Sequence, residues 1–304
     1  MSRHFLAITD FSREEILEVF QLSGELKEKQ KRGEAHRYLE GKTLAMIFQK
    51  PSARTRVSFE VGMFQLGGHA LYLSPNDIQM GKRESIPDVA RTLSRFVDVI
   101  MARVFGHNEI EQLAEYASVP VINGLSDLLH PCQVMADVFT ILEKRGSLEN
   151  LKVAFVGDGN NVANSWINIA SRIAMQLHLA IPEGYDPNPD ILHKAQAAGL
   201  SEIKIFRNPV EAVKGVDVIY TDVWASMGQE AEAEKRRADF KEYQVNIELT
   251  KHAASDHLVM HCLPAHRGEE ITDEVIDGPH SVVFDEAENR LHVQKAIMVK
   301  LLTK

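Results

Sequence analysis

Short apolar segments alternate with helical segments along the whole chain, and this alternation constrains the fold more than any other feature. Several of the apolar segments are rich in Val and Ile with little polar alternation, as expected for strands that are covered on both faces. Such alternation predicts an α/β fold with parallel sheets and right-handed crossovers. The predicted strands are Thr43–Phe48, Ala70–Leu73, Val97–Met101, Val119–Ile122, Lys152–Val156, His178–Ile181, Ile203–Phe206, Val216–Tyr220, Leu258–Cys262 and Ser281–Phe284.

The helical segments are marked by apolar residues three and four positions apart, a spacing that places them on one face of a helix. The sets are Val57/Val61/Phe64, Val134/Val138/Ile141, Val162/Trp166/Ile169/Ile173 and Val293/Ile297/Leu301. A length of 304 residues corresponds to two domains of roughly 150 residues or to one large domain. The polar segment Lys144–Asn150 is the predicted join between two domains.

Charge and cysteine content exclude several classes of protein. Lys and Arg number 34 and Asp and Glu 43, giving a net charge of −9. Nucleic acids and acidic membranes require a basic surface, so we expect neither as a partner. Two distant cysteines, Cys132 and Cys262, make neither a disulfide scaffold nor a complete zinc site. Because there is no signal-like apolar segment at the start and no long apolar run, we expect a soluble, cytoplasmic protein.

A possible anion-binding segment, KPSARTR over 50–56, follows the first predicted strand and leads into a helix. Free N–H groups and the helix dipole favour an anion at a helix N-terminus. Arg54 can bind a phosphate through two N–H groups, and Ser52 and Thr55 can donate to its oxygens. The alternative is a Ser N-cap followed by two solvated arginines, and the residue types alone weigh the two about evenly.

Two further polar groups follow predicted strands of the first half. In DLLHPCQ, over 127–133, His130 and Gln133 lie at a helix entrance, where they could donate to a carbonyl oxygen. A capping histidine with an exposed glutamine is the commoner meaning of such a segment taken alone. Arg103 follows the third strand, where a lone arginine is more often an ion-pair partner than a catalytic group.

The segment GDGNNV, over 157–162, resembles the beginning of a dinucleotide fingerprint. Its third glycine position holds Val162, and no acidic residue closes a convincing strand at the ribose spacing, so the nicotinamide signal is weak. The alternative is a tight turn that presents the amide of Asn161.

Two further segments with polar side chains follow predicted strands of the second half. In DVWASMG, Asp222 stands at a strand end, where it could pair with a cationic group or cap a helix. In HCLPAHRGEE, Cys262 could be a nucleophile, a metal ligand or a polar contact, although a lone cysteine usually packs as a small apolar residue. The histidines around it lack a known zinc spacing. Arg290 is predicted to open the last helix.

Taken together, SARTRVSFE, HPCQ, DGNN, DVWASMGQE and HCLPAHRGEE, in this order, resemble the ornithine carbamoyltransferases of the aspartate/ornithine carbamoyltransferase family. The resemblance runs essentially end to end. HPCQ and SARTR belong to the wider group, whereas DxxxSMG and HCLP are specific to the ornithine type. Where the family usually has STRTR, this chain has SARTR. Ala53 replaces a threonine, so the hydroxyl is missing but the backbone N–H remains.

The resemblance implies two doubly wound parallel-sheet domains. The first, over 1–146, would bind carbamoyl phosphate, and the C-terminal helix 290–304 would pack back on it. The second, over 147–289, would bind L-ornithine. The family also forms homotrimers.

The resemblance also implies the residues of the site. Those implied for carbamoyl phosphate are Ser52, Ala53, Arg54, Thr55, Gln79, Arg103, His130, Gln133, Cys262, Leu263 and Arg290. Those implied for ornithine are Asn161, Asp222, Ser226 and Met227, and the catalytic group would be Arg103, His130, Cys262 and Asp222.

The implied reaction gives L-citrulline and phosphate by direct attack of the ornithine amine, with no cofactor, no metal and no covalent enzyme intermediate. Aspartate and putrescine carbamoyltransferases are the close alternatives. Aspartate would require cations for its second carboxylate, and putrescine lacks the amino-acid head group. An NAD-dependent oxidoreductase and a non-catalytic paralogue are the distant alternatives.

Overall fold

The computed structural model describes residues 3–225 and 232–303, and the chain divides into two compact units. Unit 1 is Met1–Phe139 with Glu288–Lys304, and unit 2 is Thr140–Ala287. Each unit contains a parallel sheet with helices between the strands, which confirms the predicted fold class. The predicted domain limits lie a few residues later in the chain than the joins between these units.

In unit 1 the sheet has the strand order β2-β1-β3-β4. The strands are β1 (Thr43–Phe48), β2 (His69–Leu73), β3 (Val99–Arg103) and β4 (Val121–Leu125). The helices are α1 (Arg13–Lys31), α2 (Ala53–Gln65), α3 (Pro75–Ile78), α4 (Ile86–Leu93), α5 (His107–Tyr116) and α6 (Pro131–Arg145), with a 3-10 turn at Ile8–Asp10. Because the strand order reverses between the parallel strands β1 and β3, the segments after these two strands lie at the position where such sheets bind ligands.

In unit 2 the sheet has the strand order β7-β6-β5-β8-β9. The strands are β5 (Lys152–Val156), β6 (Gln176–Ala180), β7 (Glu202–Phe206), β8 (Val218–Thr221) and β9 (Leu258–His261). The helices are α7 (Asn161–Ala170), α8 (Pro189–Ala197), α9 (Pro209–Val213), α10 (Ala233–Phe240), α11 (Ile247–Thr250) and α12 (Asp273–Ile276), with a 3-10 turn at Lys241–Tyr243. Here β5 and β8 are the adjacent pair at which the order reverses, and Gly157 and Asp222 follow them directly.

One predicted strand is wrong. Ser281–Phe284 does not form a strand: Ser281 makes an isolated bridge to Val259, and helix α13 (Val283–Leu302) begins two residues later. Asp285 and Glu286 fill the first turn of α13, where acidic side chains stabilise a helix. The other predicted strands are confirmed, with ends displaced by a few residues.

Helix α2 turns its apolar stripe outward. Val57, Val61 and Phe64 are 56%, 38% and 77% exposed. The opposite face, which includes Phe59 and Met63, is buried in unit 1. An apolar stripe left exposed on a helix marks a surface available to another molecule.

The C-terminal helix packs on unit 1 through a buried lysine. The Lys295 ammonium donates to Gln30 Oε1 at 3.0 Å and to Gln65 Oε1 at 2.9 Å, and it lies 3.2 Å from His36 Nε2. Burial lowers the pKa of Lys295 to about 8. Because α1 and α2 both supply acceptors to this ammonium, it ties three helices of unit 1 together. Within the described residues, no helix has the length and apolar character to cross a membrane.

Candidate active site

The segment after β1 forms a capped helix start in unit 1. The Ser52 hydroxyl accepts from the Thr55 N–H at 3.3 Å and donates to Thr55 Oγ1 at 3.1 Å, so it caps α2. Ala53 is the first residue of the helix, and Arg54 follows it, half-buried. The cap interpretation and the anion interpretation are therefore compatible, because the cap fixes the turn on which Arg54 stands.

His130 lies among three guanidinium groups. Burial lowers its pKa well below the ordinary value, and Arg290, Arg103 and Arg54 lower it further. Each of these arginines is therefore close enough to act on the His130 ring. Since the ring stays neutral at physiological pH, it can donate one N–H to a carbonyl oxygen beside a cationic cluster.

Arg290 is fixed by amide side chains. It belongs to unit 1. The prediction that it opens the last helix is wrong, because α13 begins seven residues earlier, at Val283. Its Nη1 donates to Gln133 Oε1, and its Nη2 lies 3.5 Å from Thr55 Oγ1. The Gln294 amide, oriented so that both ends are paired, accepts from Nη2 at 3.0 Å and from Nε at 3.1 Å.

Gln133, which accepts from Arg290, is buried, so it is not the exposed glutamine of the alternative interpretation. Its Nε2 donates to Asp137 Oδ1 at 2.8 Å. The chain Asp137–Gln133–Arg290 thus orients a guanidinium group beside Thr55. Such support from side chains behind a ligand-binding group preserves its geometry when the ligand is absent.

Gln79 is the implied carbamoyl phosphate residue that follows α3 in unit 1. It ends α3 in the left-handed conformation, with φ of 43°, and its side chain is exposed. Among the described residues, no hydrogen bond joins its side chain to 52–55. Its role therefore stays a prediction.

The Asp222 carboxylate is the centre of the second cluster, in unit 2. Asp222 is buried at the end of β8. Its Oδ2 accepts from Asn160 Nδ2 at 2.9 Å, and its Oδ1 accepts from the Val223 N–H and from the Cys262 thiol at 2.8 and 2.9 Å. The carboxylate is therefore fixed by donors on both of its oxygens.

The start of α7 does not suit a dinucleotide. Asn160 is the N-cap, and its Oδ1 accepts from Val162 N–H at 2.9 Å and from Ala163 N–H at 3.2 Å. A pyrophosphate would need these same N–H groups. In addition, a Cβ at Gly159 would clash with the backbone of 185–187, so the glycine serves a close approach of the chain to itself.

The other implied ornithine residues are less defined. Asn161 is the first residue of α7 and half-buried, and its carbonyl accepts from the Ser165 hydroxyl. Its contact with ornithine stays a prediction. Ser226 and Met227 lie outside the described residues.

The loop after β9 is fixed by a buried histidine. The Leu263 N–H donates to His261 Nδ1 at 2.8 Å, so the ring proton lies on Nε2 and is donated to Glu270 Oε1 at 3.0 Å. Leu263 has a φ of 57° and precedes a cis peptide bond to Pro264. Cys262 and Leu263, implied for carbamoyl phosphate, thus adjoin Asp222 within unit 2, and their role stays a prediction.

Asp222, His261 and Cys262 could in principle hold a metal ion, because each offers one donor atom within 4.8 Å of the others. Both ring nitrogens of His261 are already engaged. The remaining two donors are too few for a structural zinc site, which takes four ligands, or for a catalytic site, which takes three. We therefore assign no metal to this group.

Comparison with known proteins assigns the chain to a family. The profile described as "Aspartate/ornithine carbamoyltransferase, carbamoyl-P binding domain" matches residues 3–143. The profile described as "Aspartate/ornithine carbamoyltransferase, Asp/Orn binding domain" matches residues 149–301. The chain belongs to the aspartate/ornithine carbamoyltransferase family. The predicted resemblance is thereby confirmed.

Individual members of the carbamoyltransferase family match over nearly the full length. The ornithine carbamoyltransferase of Thermococcus kodakarensis is 57% identical over 303 residues, covering 99% of this chain and 96% of the relative. A Pyrococcus furiosus relative named "Ornithine carbamoyltransferase, anabolic" is 56% identical over 303 residues, with the same coverage. The solved structure of the Pyrococcus furiosus ornithine carbamoyltransferase superimposes with a TM-score of 0.94, covering 98% of this chain and 96% of that one.

Several residues that hold these two clusters of side chains escaped sequence analysis. Asn160 donates to Asp222, and its position just before a helix is typical of an N-cap. Gln294 and Asp137 each lie four residues after a residue that was singled out, and such pairs lie adjacent on a helix. His261 and its partner Glu270 were within a quoted motif, but only the fold places them together.

Proposed function

We propose that the chain is an ornithine carbamoyltransferase, which transfers the carbamoyl group of carbamoyl phosphate to the side-chain amine of L-ornithine and yields L-citrulline and phosphate. The single observation that carries the choice of amine is the environment of Asp222. A buried carboxylate held by Asn160 and Cys262 attracts an ammonium group and repels the second carboxylate of aspartate. The similarity to named ornithine carbamoyltransferases supports the same choice.

The cationic cluster of unit 1 supports carbamoyl phosphate as the donor. Arg54, Arg103 and Arg290 act on His130 from three elements, the start of α2, the end of β3 and α13. We assign Arg54 with Ser52, Ala53 and Thr55 to the phosphate. A dianionic leaving group bound to guanidinium and N–H donors departs more readily, because its developing charge is already stabilised.

The chemical step is direct attack. The amine nitrogen bonds to the carbamoyl carbon, the bond from that carbon to the bridging oxygen breaks, and phosphate carries away the electron pair. Charge developing on the carbonyl oxygen is stabilised by the neutral His130 N–H, by Arg103 and by the Thr55 hydroxyl. The ammonium loses one proton before attack, since an alkylamine has a pKa of about 10.4 by analogy with Lys. The attacking nitrogen loses a second proton once the bond has formed, and the departing phosphate accepts it.

Cys262 has a positioning role in this scheme. Its thiol donates to Asp222 Oδ1 at 2.9 Å, which fixes the carboxylate rather than preparing a nucleophile. The transfer needs no cofactor, because the amine and the activated carbamoyl group react directly.

Purified protein is expected to form citrulline from carbamoyl phosphate and ornithine. Putrescine and aspartate, assayed in parallel at equal concentration, are expected to give kcat/KM values lower by at least about 100-fold, since a site built to pair a polar group strongly rejects analogues that lack or oppose it. Colorimetric ureido detection measures all three products. A higher kcat/KM for putrescine or aspartate would contradict the proposal and identify the protein as a putrescine or aspartate carbamoyltransferase.

We further propose that the chain works as a homotrimer in the cytoplasm and serves arginine biosynthesis. The family resemblance supports the trimer, and the relative named "anabolic" supports the biosynthetic direction. The exposed stripe of α2 offers a surface for a second copy, because a groove beside it is lined by Val57, Val61, Phe64 and Tyr72 and continues to Ser52.

Phe64→Glu is expected to weaken self-association of the chain. Placing a charge at the centre of an apolar contact should raise the dissociation constant by at least about 30-fold, or ~2 kcal/mol, as for a well-buried interface residue. Sedimentation velocity measures the species at each concentration. Leu200→Glu, at an exposed apolar position in unit 2, is the matched control and should sediment as wild type. An unchanged trimer in Phe64→Glu would rule out this surface.

A further inference from the structure

Arg236, on α10, joins the two chain segments that hold Asp222. Its Nη1 donates to Asp158 Oδ2 at 2.8 Å and to the Trp224 carbonyl at 2.9 Å. Asp158 lies two residues before Asn160, which donates to Asp222, and Trp224 lies two residues after Asp222. One guanidinium group therefore fixes the turn after β5 and the segment after β8 at the same time.

The surroundings of Arg236 make this link rigid. The side chain is 7% exposed, and that of Asp158 is 9% exposed. The guanidinium lies 5.0 Å from the centre of the Tyr185 ring, and its Nε donates to Glu232 at 3.2 Å. The Tyr185 hydroxyl in turn donates to Asp239 of the same helix at 2.6 Å. Helix α10 is thus attached to Asp158 through Arg236 and to Tyr185 through Asp239.

Charge gives Arg236 a second effect on Asp222. Burial raises the pKa of Asp158 to about 6 against the opposing effect of Arg236, and the Asp222 charge adds to the rise. The two carboxylates are therefore close enough to repel each other. The Arg236 cation, which donates to Asp158, offsets this repulsion.

We propose that Arg236 is a positioning residue for the amine substrate: it sets the location of Asp222 through Asp158 and Trp224 and neutralises the neighbouring carboxylate. This inference rests on the proposed function, in which Asp222 pairs with a cationic amino group of ornithine. Arg236 itself need not touch the substrate, because its donors are directed at the two segments around Asp222.

Arg236→Met tests the proposal in the full-length enzyme. The KM for ornithine should rise by about 10- to 100-fold, the range seen when groups that orient ligand-binding residues are lost. The Kd for carbamoyl phosphate, measured by calorimetry, should stay within about twofold of the wild-type value, a change of at most about 0.4 kcal/mol in binding free energy. Arg236→Lys restores the charge and one donor and should recover part of the ornithine KM.

Arg237→Gln is the matched control. Arg237 is the next residue of α10, and it pairs with Glu269 on the exposed side of the helix. This variant removes a charge from the same helix and should keep both constants at wild-type values. A loss in Arg237→Gln equal to that in Arg236→Met would show that helix charge, not the link to Asp222, is responsible, and would overturn the proposal.

Arg236→Met removes the cation that pairs with the buried Asp158 carboxylate, and such a loss destabilises the fold. The double variant Arg236→Met/Asp158→Asn removes that charge and should fold, as judged by thermal melting, while the Trp224 carbonyl still lacks its donor. Its ornithine KM should remain raised. A folded single or double variant with wild-type ornithine KM would overturn the role of Arg236. Failure of the wild-type enzyme to use ornithine would instead overturn the proposed function.

Discussion

Arg54→Ala is expected to lower kcat/KM for carbamoyl phosphate by about two to four decades while the fold persists. Two charge-assisted hydrogen bonds to phosphate are lost, each worth roughly 1.5–3 kcal/mol. Arg54 stands on the first turn of α2, which is fixed by the cap between Ser52 and Thr55. Because the guanidinium also acts on His130, its loss reduces the positive charge around the carbamoyl oxygen.

Steady-state kinetics at saturating ornithine and calorimetry with carbamoyl phosphate measure this effect. Arg91→Ala is the control, since Arg91 is an exposed arginine of unit 1 that lies 3.7 Å from Asp88 on its own helix. The control should match wild type in both measurements. Near wild-type values in Arg54→Ala would remove Arg54 from the phosphate site.

Sequence analysis predicted the α/β class and placed most strands because buried parallel strands leave a direct apolar signal. It predicted a strand at Ser281–Phe284 because Val282, Val283 and Phe284 form an apolar run that a helix start can also contain. It could not show that the stripe of α2 faces outward, since periodicity identifies an apolar face but not what covers it.

The site was predicted in part for a related reason. Residues that stand at strand ends in quoted motifs, such as Arg103, Asp222 and Cys262, were identified from the sequence. Residues that hold the site from other elements were not identified: Arg236 reaches Asp158 from a helix 78 positions later in the chain. Such pairs carry no local spacing signal, so only the fold brings them together.

Asp222→Asn is expected to lower kcat/KM for ornithine by about one to two decades, because one charge-assisted contact of roughly 1.5–3 kcal/mol is lost. The geometry adds to this loss. Both carboxylate oxygens accept hydrogen bonds, from Asn160 on one side and from Val223 and Cys262 on the other. An amide has a single oxygen, so its NH₂ group must face a donor on one side.

Cys262→Ser separates positioning from covalent chemistry. A hydroxyl can donate to Asp222 as the thiol does, so this variant should keep turnover with a milder loss for ornithine. A carbamoylated Cys262, trapped by acid quench and detected by mass spectrometry, would contradict direct attack. Asp186→Asn, at an exposed aspartate of unit 2 that pairs with Arg207, is the charge-matched control for Asp222→Asn and should behave as wild type.

The assignment of ornithine to Asp222 and of carbamoyl phosphate to the cluster of unit 1 is tested most directly by measuring both substrates on one variant. In Asp222→Asn, the ornithine KM and the carbamoyl phosphate Kd should separate: the first should rise by at least about tenfold, and the second should stay within about twofold of wild type. Equal losses for both substrates, or an unchanged ornithine KM, would contradict the division of the substrates between Asp222 and the arginine cluster.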